Sequence, residues 1–190
     1  MMLLRFSLNK KTDEELMLLS SHGNDKAFEE LYNRYARRLQ GFFYRQLNGD
    51  KEMASDFAHD TFLRVYDARK SYKENNSFAT WIFSIAYNLC KNRYRHTDKE
   101  EQYLRELDAK SMTTDSPEVD LDAKILQEAL QKVLSSLAEE ARMMFSLHYE
   151  EDLTVAEIAA IYDIPEGTVK SRLHKIIIII KQKLKQYEDR

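Results

Sequence analysis

Three times in this chain a hydroxyl residue stands three places ahead of a glutamate, at the entry to a segment with helical apolar spacing: Thr12 to Glu15, Ser136 to Glu139 and Thr154 to Glu157. In such a capping box the hydroxyl accepts from the backbone of the first turn, and the glutamate reaches back to the backbone N–H of the cap. The pattern commits three stretches to helix. With only four Gly and two Pro among 190 residues, and abundant Leu, Ala, Glu, Lys and Gln, it points to an all-α fold. Behind the third box, Ile158, Ala159 and Tyr162 form an inward face. Asp163 tolerates the left-handed backbone of a tight turn, and Pro165 ends that turn. A second helix then runs from about Glu166 to Tyr187, anchored by Val169 and Leu173. Two short helices, a tight turn and a basic outer face make a helix-turn-helix, which lays its second helix in the DNA major groove.

The N-terminal half repeats the helical signal. From Asp25 the apolar residues Phe28, Leu31, Tyr32, Tyr35, Leu39, Phe42 and Phe43 recur at steps of three and four. Gly49-Asp50 breaks the chain, and a third helix turns Met53, Phe57, Thr61, Phe62, Val65 and Tyr66 inward. Ser71 to Ser77 is a polar loop ending in an N-cap. A fourth helix carries Phe78, Trp81, Ile82, Ile85, Ala86 and Leu89 inward and shows Thr80, Ser84, Tyr87, Asn88, Lys91 and Arg95 on its other side. These helices predict one domain over residues 10–97. An acidic, aperiodic stretch follows and reads as a flexible linker over 98–122, partly helical around Glu100 to Leu107. A second domain spans 123–187. It opens on Leu121, Ile125, Ala129, Leu130, Val133 and Leu134, then a helix with Ala141, Met144, Phe145 and His148 facing inward.

The net charge is −3, but charge is unevenly placed. Residues 96–122 hold 3 basic against 9 acidic side chains, whereas Glu166–Lys185 hold six basic and one acidic. Local positive charge is the form a phosphate-contacting surface takes. A single cysteine, Cys90, excludes an internal disulfide and a cysteine-based zinc site. It lies in an apolar pattern and reads as a buried thiol. The start, MMLLRFSLNKK, lacks the long apolar core of a signal peptide, and no apolar run approaches the ~20 residues of a membrane helix. The expectation is a soluble, cytoplasmic protein.

GTVKSRLHK after IAAIYDIPE resembles the C-terminal reader of the extracytoplasmic-function (ECF) group of sigma-70 RNA polymerase sigma factors. MASDFAHDTFLRVY, Met53 to Tyr66, is similar to that family's polymerase-binding helix. FATWIFSIAYNLCKNRYR is similar to its promoter-melting helix. Two motif sets in the right order make the resemblance far more specific than a lone helix-turn-helix. It implies a protein that binds core RNA polymerase through the β′ and β subunits. Such a protein directs the enzyme to promoters, catalyses nothing itself, and in many cases is held inactive by an anti-sigma factor. No cofactor, metal or catalytic residue is implied.

The resemblance also assigns residues. Asp56, His59, Asp60 and Phe62 fall where the family docks on a β′ coiled coil, and carboxylates beside an aromatic suit an Arg-rich partner helix. His59 beside Asp60 is no metal pair, since adjacent helix positions diverge by about 100° and no second ligand cluster accompanies them. Lys73, Asn75 and Asn76 lie in the loop where the family captures a flipped −10 base. Tyr87, Asn88, Lys91 and Arg95 supply the stacking, base-edge and phosphate chemistry for single-stranded DNA. Trp81 sits on the inward stripe and reads as core. For the −35 element the candidates are Thr168, Lys170, Ser171, Arg172, His174 and Lys175, with Glu166 a first-turn carboxylate favoured by the helix dipole.

One departure stands out. Where the family continues with alternating Arg, Ala and Lys, this chain has Ile176 to Ile180. Leu173, Ile176, Ile177, Ile180 and Leu184 form an ordinary buried stripe, which leaves Ile178 and Ile179 surplus. That predicts a weaker phosphate grip with a shallower salt slope, or an apolar partner surface. Two other functions compete with the sigma-factor reading. A conventional helix-turn-helix repressor or activator would use the same reader, yet has no need for the Met53 to Arg95 block. A helical enzyme lacks a nucleophile, metal cluster or phosphate loop.

Overall fold

The computed structural model describes residues 8–73, 77–104 and 129–188. Among them the chain is helical with no strand. The helices are α1 (Asp13–Ser21), α2 (Asp25–Gln46), α3 (Lys51–Ala68), α4 (Phe78–Leu104), α5 (Glu139–Tyr149), α6 (Val155–Tyr162) and α7 (Glu166–Glu188). A helix also occupies residues 129–135. Leu121, Ile125, most of the acidic stretch, and Asn75 and Asn76 fall outside the described residues.

Local chemistry sets the boundaries. The Thr12 box forms as the sequence predicts: Thr12 Oγ1 accepts from the Glu15 N–H at 3.2 Å, and Glu15 Oε2 accepts from the Thr12 N–H at 2.9 Å. Asn24 caps α2 and Asp50 caps α3. Between them Gly49 takes φ +84°, a conformation that glycine enters without penalty. The box at Thr154 also forms, and Asp163 ends α6 in the left-handed region at φ 53°.

The Ser136 box does not form. The preceding helix runs to residue 135, and the Ser136 hydroxyl donates back to the Val133 carbonyl at 2.7 Å, closing that helix instead of opening the next. Helix α5 starts behind Ala138 with no side-chain cap. Its inward face also differs from the expected stripe: Arg142, Met143, Met144, Ser146 and Leu147 are buried, and Phe145 only partly so. The cause is packing on two sides. Helix α5 touches α6 and α7 on one side and α2 on the other, so no single stripe describes it.

Helices α1 to α4 pack around Leu31, Leu39, Phe42, Phe43, Phe78 and Phe83, all fully buried. Edge-to-face ring pairs tie α2 to α4, Tyr35 to Phe78 at 5.1 Å and Phe42 to Phe83 at 5.7 Å. Helix α4 continues to Leu104, into the stretch expected to be linker. Helices α5 to α7 form a second bundle around Met144, Leu147, Ile158, Val169 and Leu173. Its core is continuous with the first.

How the two bundles meet was open from the sequence. In the structure they share a polar seam. Glu151, 4% exposed, accepts from Arg38 Nε at 3.1 Å and from Arg45 Nη2 at 2.8 Å, while Arg38 Nη2 donates to the Glu151 carbonyl at 2.8 Å. Arg45 Nε lies 2.6 Å from Glu150 Oε2. Burial pushes the Glu151 carboxyl above its usual range, against the opposing pull of Arg38 and Arg45. Deeper in, buried Arg142 donates to the Gln46 side chain and carbonyl and to the Tyr94 hydroxyl, and Gln46 Nε2 donates to Ser146 Oγ. Breaking one side of a buried pair strands its partner at a cost of about 3–5 kcal/mol; at the Arg38 edge of the seam, where the arginine is 37% exposed, solvent lowers that cost.

Candidate nucleic-acid interface

The reader is built on α6 and α7. Val169 and Leu173 are buried beneath α7 and set its rotation. Lys170, Ser171, Arg172, His174 and Lys175 consequently point to solvent, with Thr168 half-buried at the helix start. Lys170 Nζ lies 3.9 Å from Glu166 and Arg172 Nη1 lies 4.0 Å from Glu140. All four side chains are well exposed, and such pairs contribute little, so both cations remain available to phosphate. Further along, Ile176 and Ile180 are buried while Ile178 and Ile179 are about 40% and 39% exposed, as the departure from the basic pattern predicts.

Helix α4 presents the single-strand candidates. Asn88 and Arg95 are exposed, Lys91 is half-buried, and these positions share one helix face. Lys73 is exposed in the loop before the helix. Trp81 is partly buried against Tyr72 at 5.2 Å and Phe78 at 6.3 Å, consistent with a core role. Tyr87 departs from the outward placement. It is 4% exposed, with the Tyr162 ring of α6 at 4.5 Å and Lys91 Nζ 5.6 Å from its own ring. Burial, then the nearby Glu140, raise its phenol above the usual value. Helical spacing puts Tyr87 on the outer side of α4; the second bundle then covers it.

A third cluster lies between α2 and α3. A groove of about 250 Å³ is lined by Tyr32, Gln40, Ser55, Asp56, His59 and Phe62 among others. It brings together three of the four residues assigned to polymerase docking. Asp60 lies outside that lining and pairs with Arg64 at 3.0 Å. Phe62 is 3% exposed and works from below, with the Tyr32 ring stacked on it at 4.6 Å. Tyr32, 41% exposed, is the aromatic a partner would meet, and Leu63, 51% exposed, follows Phe62 in the chain. Periodicity placed Tyr32 on the apolar stripe of α2, and nothing in spacing distinguishes a ring at the stripe's edge from one at its centre.

The Sigma-70 region 2 family matches residues 31–100, and Sigma-70, region 4 matches residues 127–177. The ECF RNA polymerase sigma factor SigW of Bacillus subtilis is 31% identical over 166 residues, 80% of this chain and 86% of that protein. The chain belongs to the ECF RNA polymerase sigma factors. The ECF RNA polymerase sigma-E factor of Haemophilus influenzae is 26% identical over 182 residues, 91% of this sigma factor and 95% of that one. The fold is shared with the sigma factor RpoE of Bartonella quintana, solved in complex with the anti-sigma factor NepR, at TM-score 0.69 and 21% identity over 84% of this chain and 98% of that one. The groove and the outer face of α4 both lie in the region 2 part of this sigma factor, and the exposed cations of α7 through Lys175 lie in its region 4 part. Among the described residues no helix is long and apolar enough to cross a membrane.

Proposed function

We propose that this sigma factor directs core RNA polymerase to promoters as a two-part reader, with residues 10–97 docking the enzyme and opening the −10 element and residues 123–187 reading the −35 element. Residues 98–122 join the two. The observation that carries the reading is the presence on one chain, in order, of the α2–α3 groove, the amide- and base-bearing face of α4, and the exposed cations of α7. Asp56, His59 and Tyr32 supply the docking contacts to a cationic partner helix. Lys170, Arg172 and Lys175 track duplex phosphates, while Thr168 and Ser171 at the helix start reach base edges or phosphate. Melting without a nucleotide cofactor requires bound, unpaired bases to offset lost pairing and stacking. Asn88, Lys91, Arg95 and Tyr87 offer that chemistry at ~1–3 kcal/mol per stacked base.

The sigma factor itself catalyses no reaction and works in the cytoplasm with the polymerase. Control by an anti-sigma factor is supported by the RpoE relative, which was captured with one. Run-off transcription from a promoter library, with core polymerase and with or without this chain, tests the reading. Transcripts that depend on the chain and share paired sequence elements are expected. Duplex binding without capture of core polymerase would make it a conventional helix-turn-helix regulator instead.

A further inference from the structure

The second bundle sits on the single-strand face of α4 with groups resembling those of DNA. Glu157 Oε1 accepts from Ser77 Oγ and from Thr80 Oγ1, both at 2.9 Å, at the N-terminal end of α4. An anion is thus held by two hydroxyls at a helix start, whose dipole favours negative charge. About two turns beyond Thr80, the Tyr162 ring lies 4.5 Å from Tyr87 in a tilted stack. A carboxylate on a hydroxyl pair and a ring on a ring are the contacts that a backbone phosphate and an unpaired base would make. The Arg38 and Arg45 contacts to Glu150 and Glu151 are made from α2 by residues other than Ser77, Thr80 and Tyr87, and they tie the bundle in place. The reader side chains of α7, by contrast, stay exposed.

We propose that the second bundle is a competing occupant in cis of the single-strand site, with Glu157 standing on a phosphate position at Ser77 and Thr80 and Tyr162 on a base position at Tyr87. The inference rests on the proposed promoter-melting role and adds two things to it. Ser77 and Thr80 become DNA-contacting residues, and the packed form becomes unable to hold a melted strand while still able to meet duplex through α7. Binding of single strand and packing of the bundle are then mutually exclusive, and the apparent affinity of the free chain falls by the fraction of molecules that are open.

The test uses the full chain and a fluorescein-labelled single-stranded DNA of randomised sequence, read by anisotropy, with small-angle scattering to follow compactness. Arg38→Ala with Arg45→Ala opens the seam without changing a residue of the proposed site. A rise in affinity of about tenfold is expected if nine-tenths of the native chain is closed. Adding Thr80→Val or Tyr87→Ala to the opened chain should cancel most of the rise. Should the double arginine variant fail to fold, Glu150→Gln with Glu151→Gln loosens the same seam from the other side. An opened, expanded chain with unchanged single-strand affinity overturns the proposal, as does a gain indifferent to Thr80 and Tyr87. Capture of core polymerase by the same variants separates the failures. Capture with no gain defeats the cis competition alone, and loss of capture by the native chain defeats the sigma-factor role beneath it.

Discussion

At the scale of single residues, burial decides chemistry that composition leaves open. The Cys90 thiol is buried in α4, and burial pushes it up to about 12. It should therefore resist a disulfide reagent at pH 8 in the native chain and react fully in denaturant; rapid labelling of folded protein would contradict this placement. Glu157 moves the other way. Burial alone would raise its carboxyl, but hydrogen bonds from the Thr154 backbone and side chain, Thr80 and Ser77 outweigh it, leaving the group below its ordinary 4.5. A depressed carboxyl contributes stability that is complete above its unfolded value and is lost as pH falls through its folded value. Glu157→Gln should accordingly lower the thermal midpoint at pH 6, and the deficit should shrink as the pH is taken below 4.5. An equal deficit at both ends would mean that the side chain acts through shape and not charge. Tyr87 shows the limit of reading one residue at a time: its position on α4 was legible, its cover was not, because the cover comes from a helix more than seventy places away.

Among the elements, the helices most visible in the sequence are those whose own spacing and caps suffice. Helices α2, α3 and α6 begin where Asn24, Asp50 and Thr154 stand, and α7 keeps Val169 and Leu173 inward as expected. The failures have tertiary causes. Ser136 was read as a start and is a stop, because the same hydroxyl can bond forward to an N–H or back to a carbonyl, and only the length of the preceding helix decides. Helix α5 has neighbours on opposite sides, so Arg142 and Ser146 are buried for the sake of α2. The α2–α3 groove gathers Asp56, His59 and Phe62, which the sequence grouped, while Tyr32 needed the partner helix in place. In α7 the isoleucine run gives a direct test. Ile178 is exposed on the reader helix, and Ile178→Arg should strengthen binding to a cognate promoter duplex and steepen the fall of log affinity with log salt by roughly 1. Unchanged affinity, or a loss, would count against a role for phosphate contact at that end of the helix and favour the apolar strip as a partner surface.

At the scale of the molecule, one hydrophobic cluster runs through both bundles, and the arginine–glutamate seam closes over it. A shared core predicts shared unfolding. Calorimetry of the native chain should give a single transition, and Arg38→Ala with Arg45→Ala should split it in two or broaden it markedly. Two well-separated transitions in the native chain would mean that the seam contributes little to cooperativity. The seam also carries an order in time. Arg38 and Arg45 emerge from the ribosome about a hundred residues ahead of Glu150 and Glu151, which at 5–20 residues per second is a delay on the order of 10 s. Over the later half of that interval, once α4 has been made, the first bundle is complete while its partner does not yet exist. Ser77, Thr80 and Tyr87 are then uncovered on a nascent chain, and the half-made protein presents the face proposed to take single strand before the bundle that covers it has been made.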